Sequence, residues 1–316
     1  MSLGTGLGWW LLPLILVMAY ALLVLVGHWR WQGATRSLQA RLDALGRVTA
    51  PPHQLSAVVH LVQIEGLPQP VQRYLRLVLR EGQPVPHGVR LRQEGTFNLK
   101  ADGDGWKPFS AVQQVLLQQP AFVWDARIAL APGLDVHVHD AYVGGQGLLH
   151  AAVLGAVPMA QLSGGGQLAQ GELMRWLAEA PWYPTALLPS QGVQWAAVDK
   201  HSADATLSDG DVKVSLRFHF GSDGLVDTVT AVARGRLVGG ISQPTPWQGR
   251  FWNYALRHDL RVPLQGEVAW LLPGGASPYW RARVSSIDFE SMAAAAAPAT
   301  RSPGLSLPPQ PAKAAP

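Results

Sequence analysis

After Pro86, apolar and polar residues alternate along the chain, and this period of two constrains the fold more than any other feature of the sequence. In Val212–Phe220, every even-numbered residue is apolar and every odd-numbered residue is polar. Such alternation places the apolar side chains on one face of a β-strand. Sequences rich in turn-forming residues, at 208–211 and 221–224, bracket the segment and predict two consecutive hairpins.

Further segments with strand character lie between residues 89 and 289, and the connections are too short for helical crossovers. The sequence therefore predicts a mainly β fold, a large, curved, partly closed antiparallel sheet or half-barrel. Short helices near 68–81 and 171–180 are expected to pack against its apolar concave side. The other predicted strands are 89–99, 107–117, 122–130, 134–143, 147–154, 193–198, 203–207, 225–236, 248–257, 266–272 and 279–289.

The segment Leu11–His28 carries no charge and is long enough, at about 1.5 Å per helical residue, to cross most of a bilayer core. Two tryptophan pairs flank it, as in the aromatic belts of membrane helices: Trp9 with Trp10, and Trp29 with Trp31. We predict an uncleaved transmembrane anchor. A signal peptide, the alternative, would need a basic residue before the apolar run, and the first one is Arg30.

Four regions follow from these patterns. They are a transmembrane anchor at 1–31, a juxtamembrane helix and linker at 32–65, an antiparallel β domain at 66–290 and a disordered Pro/Ala-rich tail at 291–316. Arg36, Arg41 and Arg47 are expected to meet anionic lipid headgroups. Because arginines follow the apolar run and none precedes it, the positive-inside rule favours a cytoplasmic body, with the periplasmic side as the alternative.

Charge and cysteine content exclude several classes of function. The sequence pI is about 9.6, but much of the basic excess lies next to the anchor and in the tail, so the β domain is nearly neutral. A phosphate-binding groove for nucleic acid is therefore not expected. The chain has no cysteine, which excludes disulfides and thiolate metal sites. No P-loop or dinucleotide fingerprint is present, so we predict no cofactor.

The hairpin at 122–142 gathers ionisable side chains on one face. They are Asp125, Arg127, Asp135, His137 and His139. With a turn at 131–133, Asp125 lies opposite His139, and Arg127 lies opposite His137. His137 and His139 with Asp135 have the spacing of a zinc site, and Asp125 with His139 can form an acid/base pair. We expect this face to point to water, because the large apolar side chains occupy the other face; a buried structural network is the third interpretation.

Residues 171–189 combine a short predicted helix with a corner rich in aromatic residues and proline. Leu173, Trp176, Leu177 and Ala180 form its core stripe. On another face Arg175 can reach Glu172 and Glu179, either as an ion-paired triplet or as an acid/base pair with weak catalytic potential. The corner residues can close one side of an apolar cavity. The candidate ligand-binding residues are Arg175, Trp176, Trp182 and Tyr183.

Seven blocks of sequence, in this order, resemble a bacterial family known only as a domain of unknown function. They are LPQPVQRYLR, WKPFSAVQQ, FVWDARIALAPG, DAYVGGQG, ELMRWLAEAPWYPTALLP, WQGRFWNY and EVAWLLP. The resemblance covers roughly residues 66–290, and we identify the family as the one numbered 6544. It implies one domain in a bacterial protein. Together with the single apolar run at Leu11–His28, this leads us to expect a single-pass protein of the bacterial inner membrane. It transfers no activity and no catalytic residue.

Three functions are compatible with these features. The first is a membrane-anchored protein without enzymatic activity that binds a lipid or other hydrophobic ligand in the cavity of a curved β-sheet. The second is a structural or protein-interaction module of the cell envelope. The third is a hydrolase that uses Glu172 and Glu179, or Asp125 and His139. The membrane is the only partner that the sequence indicates.

Overall fold

The computed structural model describes residues 8–47, 58–100 and 103–290. Residues 48–57 of the predicted juxtamembrane linker and the predicted disordered tail at 291–316 lie outside these residues. Within them, one sheet of thirteen antiparallel strands is bent around two α-helices and several 3₁₀ turns, and the N-terminal α-helix lies outside it. The prediction of a mainly β fold built on one large, curved antiparallel sheet is confirmed, and the sheet is not closed.

The sheet runs in the order β6-β5-β4-β3-β2-β1-β13-β12-β11-β10-β9-β8-β7, so β6 and β7 are its free edges. The first six strands are β1 (Gly88–Asn98), β2 (Trp106–Leu116), β3 (Ala121–Ala131), β4 (Leu134–Val143), β5 (Gln146–Val153) and β6 (Val157–Gly164). The remaining strands are β7 (Gln194–Asp199), β8 (Ser202–Asp209), β9 (Val212–Phe220), β10 (Val226–Val238), β11 (Ile241–Arg257), β12 (Leu260–Leu272) and β13 (Gly275–Glu290). The two halves meet where β1 pairs with β13.

Every predicted strand is present, and β9 has the predicted bounds. Strand β6 is not among the predicted strands. Most side chains of β6 are exposed, and it pairs on one side only, with β5. A strand of this kind buries no apolar face, so it leaves no alternating pattern in the sequence.

Helix α1 (Gly8–Arg47) is a single helix of 40 residues, with no break between the apolar run and the basic segment. The portion that begins at Leu11 is apolar enough to cross a membrane and is almost entirely exposed. The following portion packs on the convex side of the sheet, where Leu38 and Leu42 join Val123 and Val143 in a small outer core. The juxtamembrane segment therefore lies along the β domain.

Two further helices lie on the concave side with the main core. Helix α2 (Gln69–Val78) buries Tyr74 against Phe220, with ring centroids 5.7 Å apart. Helix α3 (Gly166–Ala178) begins five residues before the predicted start and ends two residues before the predicted end. Three 3₁₀ turns follow it at Ala180–Trp182, Pro184–Leu187 and Pro189–Gln191, and each carries proline in its first positions. The prolines cannot donate within a helix, which explains why α3 does not continue.

Candidate functional site

A cavity of about 860 Å³ lies inside the curved sheet, with α3 at its inner end. Its wall is mainly apolar and aromatic, and it includes Trp124, Ile128, Val138, Trp182 and Phe251. Trp124, Ile128 and Val138 point inwards because they hold alternate positions on β3 and β4. A cavity of this size and composition fits a small hydrophobic ligand.

Arg175 of α3 is the centre of a charged cluster on this wall. Its Nε donates a hydrogen bond of 2.8 Å to Glu179, and one of its terminal nitrogens donates to Asp140 on β4. The guanidinium also lies over the rings of Phe122 and Trp124, 4.9 and 5.0 Å from their centroids. The two carboxylates raise the pKa of Arg175 against the effect of burial. The cation is thus held by charge and by aromatic faces together.

Glu172 belongs to the same cluster, but Arg175 makes no hydrogen bond with it among the described contacts. Glu172 is buried, and burial followed by the negative charge of Asp140 raises its pKa well above the usual range. Oε2 of Glu172 and Oδ1 of Asp140 are both buried and lack a donor within the described part of the chain. A proton on Glu172 can be shared with Asp140, which relieves the repulsion between the two carboxyl groups.

Replacing Glu172 with glutamine is expected to change how stability depends on pH. An acid whose folded pKa is raised above its ordinary value of 4.5 holds its proton more tightly in the folded state. The contribution of Glu172 to the free energy of unfolding is therefore complete at low pH. It is lost as pH rises towards the folded pKa, by up to about 1.4 kcal/mol per pH unit. Glutamine removes this loss, so Glu172→Gln should be more stable than the native chain at neutral pH.

Urea unfolding of the native chain and the Glu172→Gln variant, measured from acid to neutral pH, checks this expectation. Glu94→Gln is the matched control, because Glu94 is exposed and pairs with Arg283 on the surface. The control should retain the native pH dependence. A native-like pH dependence in Glu172→Gln would show that Glu172 is already ionised in the folded protein.

The structure separates the four predicted ligand-binding residues into two groups. Arg175 and Trp182 lie on the cavity wall. Trp176 and Tyr183 are fully buried in the core behind it, where the Trp176 indole donates to the carbonyl of Leu116 and the Tyr183 hydroxyl donates to the carbonyl of Trp176. These two aromatic residues position α3 and the corner that follows it.

The predicted pairing of the hairpin at 122–142 is confirmed, since Asp125 is opposite His139 and Arg127 is opposite His137. The expectation that this face points to water is wrong. Trp31 of α1 stacks on the His139 ring at a centroid distance of 3.9 Å and leaves His139 only 1% exposed. Trp31 is therefore a packing residue and not part of a membrane belt, whereas Trp29 is exposed. The side chains of Trp9 and Trp10 lie outside the described part of the structure.

Asp125 is held in a polar contact between α1 and β3. The Trp31 indole and the Thr35 hydroxyl donate to it at 3.1 and 3.0 Å, and the same hydroxyl lies 2.8 Å from Nε2 of His139. Burial opposes its ionisation, but His139, Trp31 and Thr35 together lower the pKa of Asp125. Trp31 covers the His139 ring, whereas the Asp125 side chain is 31% exposed.

The residues proposed as metal ligands have other contacts. Asp135 lies 3.7 Å from the Arg127 guanidinium, and burial, followed by the charge of Arg127, lowers the pKa of His137. Among the described residues, no group of three His, Asp or Glu side chains is placed to hold a metal ion. His137 and Asp125 border a second cleft, of about 460 Å³, between α1 and the convex side of the sheet.

Sequence reasoning missed Asp140, although a signal for it was present. Val136, Val138 and Asp140 hold alternate positions on β4, so the inward-facing register that begins with valines continues to a carboxylate. A buried polar chain near it was also missed. The Trp124 indole donates to Gln93, the Gln93 amide contacts Gln113, and the Gln113 amide donates to Glu179.

The fold and the cavity define an open antiparallel half-barrel that encloses an apolar space with a charged inner end. The chain belongs to the Family of unknown function (DUF6920), whose model matches residues 65–289. The family number 6544 given by the sequence resemblance is wrong, whereas the assignment to a domain of unknown function is right. No functionally curated protein matches the sequence significantly.

Three solved structures are similar to this chain over part of its length. A LolA superfamily protein from Nitrosomonas europaea has 10% identity and a TM-score of 0.38, with 72% of this chain and 94% of that chain covered. A DUF1329 family protein from Desulfovibrio piger has 9% identity and a TM-score of 0.35, with 65% and 86% covered. A β-barrel-like DUF1849 protein from Brucella abortus has 9% identity and a TM-score of 0.21, with 65% and 99% covered. At these TM-scores the likenesses carry no argument about function.

Proposed function

We propose that this protein binds a lipid or another hydrophobic ligand in the cavity of its curved sheet, while α1 anchors it in a membrane. The observation that carries the proposal is the cavity of about 860 Å³, which is walled mainly by apolar and aromatic side chains. Pockets of this size, mostly apolar with a few polar groups at one end, are the usual binding sites of small ligands. A lipid from the membrane in which α1 is anchored is the hydrophobic ligand most accessible to this cavity.

The anchor is the exposed apolar part of α1, which begins at Leu11. We place the body on the cytoplasmic side of the bacterial inner membrane, because arginines follow the apolar run and none precedes it. The periplasmic side is the alternative. A single cysteine introduced at exposed Ser222 decides between them, since labelling by a membrane-impermeant maleimide in spheroplasts requires a periplasmic body.

Mass spectrometry of lipid that co-purifies with a soluble form tests ligand binding. The form should begin at Trp29, so that Trp31, Leu38 and Leu42 remain to cover the convex side of the sheet. We expect one class of amphiphile bound in stoichiometric amount after purification without detergent. A folded soluble form that carries no lipid, and takes up none from vesicles, would contradict the proposed function.

A further inference from the structure

Two hairpin tips contact the apolar portion of α1. The Tyr20 hydroxyl donates to the carbonyl of Gly133, in the turn between β3 and β4. Gly27 lies against the turn between β5 and β6, so closely that a Cβ at this position would overlap the carbonyl of Leu154. Tyr20 precedes His28 by eight residues, or about 12 Å of helix. The tips therefore lie beside the segment that the proposed anchor places in the bilayer.

Antiparallel connection places further tips at the same end of the sheet. Turns alternate between the two ends, so the tips β1–β2, β8–β9, β10–β11 and β12–β13 belong with β3–β4 and β5–β6. Four of these six tips contain no ionisable residue: 131–134, 154–159, 237–242 and 271–278. The other two are charged, since β1–β2 carries Lys100, Asp102 and Asp104 and β8–β9 carries Asp209 and Asp211. We name the end formed by the four uncharged tips the anchor end of the sheet.

Large apolar side chains are exposed at the anchor end. Met159 is 60% exposed and Ile241 is 68% exposed, and Leu134, Val157 and Leu237 are exposed beside them. Apolar side chains that converge from separate hairpins are unusual on a surface that meets only water. At the opposite end, three of the five tips are charged, with residues such as Lys200, Asp223 and Asp259, and the tips β2–β3 and β4–β5 carry no ionisable residue.

Aromatic side chains contact arginines just inside the tips β1–β2, β10–β11 and β12–β13. Trp270 stacks on Tyr279 at 5.5 Å, and the Arg236 guanidinium lies 6.0 Å from the Trp270 ring centroid. Arg281 lies 4.6 Å from the ring of Trp106, at the start of β2. The order from the tips inwards is apolar, then tryptophan with arginine, then the polar outer surface. The same order occurs across a membrane interface, from hydrocarbon to headgroups to water.

The cavity reaches this end of the sheet. Its wall extends from Arg175 and Trp182 at the inner end to Met159, Leu237 and Gly240 at the tips. We propose that the anchor end dips into the surface of the membrane that α1 crosses, so that the cavity opens directly onto lipid. This inference rests on the proposed function for the anchor, and it adds the route by which a lipid enters without crossing water.

The chain contains no cysteine, so single cysteines can report the depth of chosen positions in the full-length protein. We would label Met159→Cys and Ile241→Cys with a nitroxide in vesicles of phosphatidylethanolamine and phosphatidylglycerol. Leu16→Cys on α1 serves as the bilayer reference, and Ser222→Cys at the charged end serves as the aqueous reference. All four positions are exposed on the protein, so the labels should not disturb the fold.

Relaxation by oxygen and by a water-soluble nickel chelate gives the result. Labels at 159 and 241 should lose nearly all broadening by nickel and gain broadening by oxygen, as at position 16, whereas position 222 should respond to nickel. Nickel access at 159 and 241 equal to that at 222 would overturn the inference, even if the soluble form carries lipid. If the labels at 159 and 241 lie in the bilayer but the soluble form carries no lipid, the inferred membrane contact stands and the proposed lipid ligand is contradicted.

Discussion

A tryptophan in place of Gly171 is expected to abolish ligand binding and leave the fold intact. Gly171 lies within α3 and on the cavity wall, and a Cβ built there has nothing within 4 Å. Its backbone is ordinary helix, so tryptophan introduces no backbone strain and should gain about 0.5 kcal/mol of helix propensity over glycine. The indole then projects into the space that the ligand needs.

Mass spectrometry of co-purified lipid, together with thermal unfolding, measures both halves of this expectation. Gly171→Ala is the matched control, because it gains the helix propensity without filling the cavity. The alanine variant should bind lipid like the native chain and unfold at a slightly higher temperature. If the tryptophan variant folds and retains its full complement of lipid, the ligand lies elsewhere and the cavity is not its site.

The sheet was predictable because its information is local. Alternation along a strand and the length of each turn set the hairpin register, which is why Asp125 was placed opposite His139 correctly. The same local rule fails for β6, whose side chains are mostly exposed and impose no apolar pattern. Strand register could therefore be predicted from the sequence wherever one face of the strand is buried.

The environment of the His137 and His139 face was not predictable, because a distant segment determines it. Alternation showed that the large apolar side chains of the hairpin point away from the face that carries His137 and His139. It could not show that α1 covers the histidine face. The position of Trp31 next to an apolar run predicts a membrane-belt residue. Its stacking on His139 depends on α1 continuing unbroken and lying along β3 and β4.

The candidate site was predictable only in part, since the sequence identified Arg175 but assigned it the wrong set of partners. Spacing along a helix links Arg175 with both Glu172 and Glu179, and the second contact exists. The other carboxylate is Asp140, which comes from a strand 35 residues away. Contacts between α3 and the sheet depend on how far the sheet curves, and that is a property of the whole domain.

Replacing Arg175 with methionine is expected to be the most destabilising single change in the cavity wall. Methionine keeps much of the apolar stem but leaves Asp140 and Glu179 without their cation in a mostly buried site, where their side chains are 16% and 14% exposed. Loss of one partner from a buried charged group costs about 3–5 kcal/mol. Glu172 lies beside Asp140 and adds a third carboxyl group to the site that would lose this cation.

Urea unfolding of the soluble form measures this loss, with Arg217→Met as the matched control. Arg217 pairs with Asp204 through two hydrogen bonds on the sheet surface, where solvent screens the pair and removal should change little. If the loss of stability in Arg175→Met comes from carboxylates left without a cation, adding Asp140→Asn and Glu179→Gln to the Arg175→Met variant should recover most of the lost stability. If it comes from lost packing over Phe122 and Trp124, the triple variant should stay as unstable as the single one. The comparison therefore separates the electrostatic role of Arg175 from its role as a flat side chain between two aromatic rings.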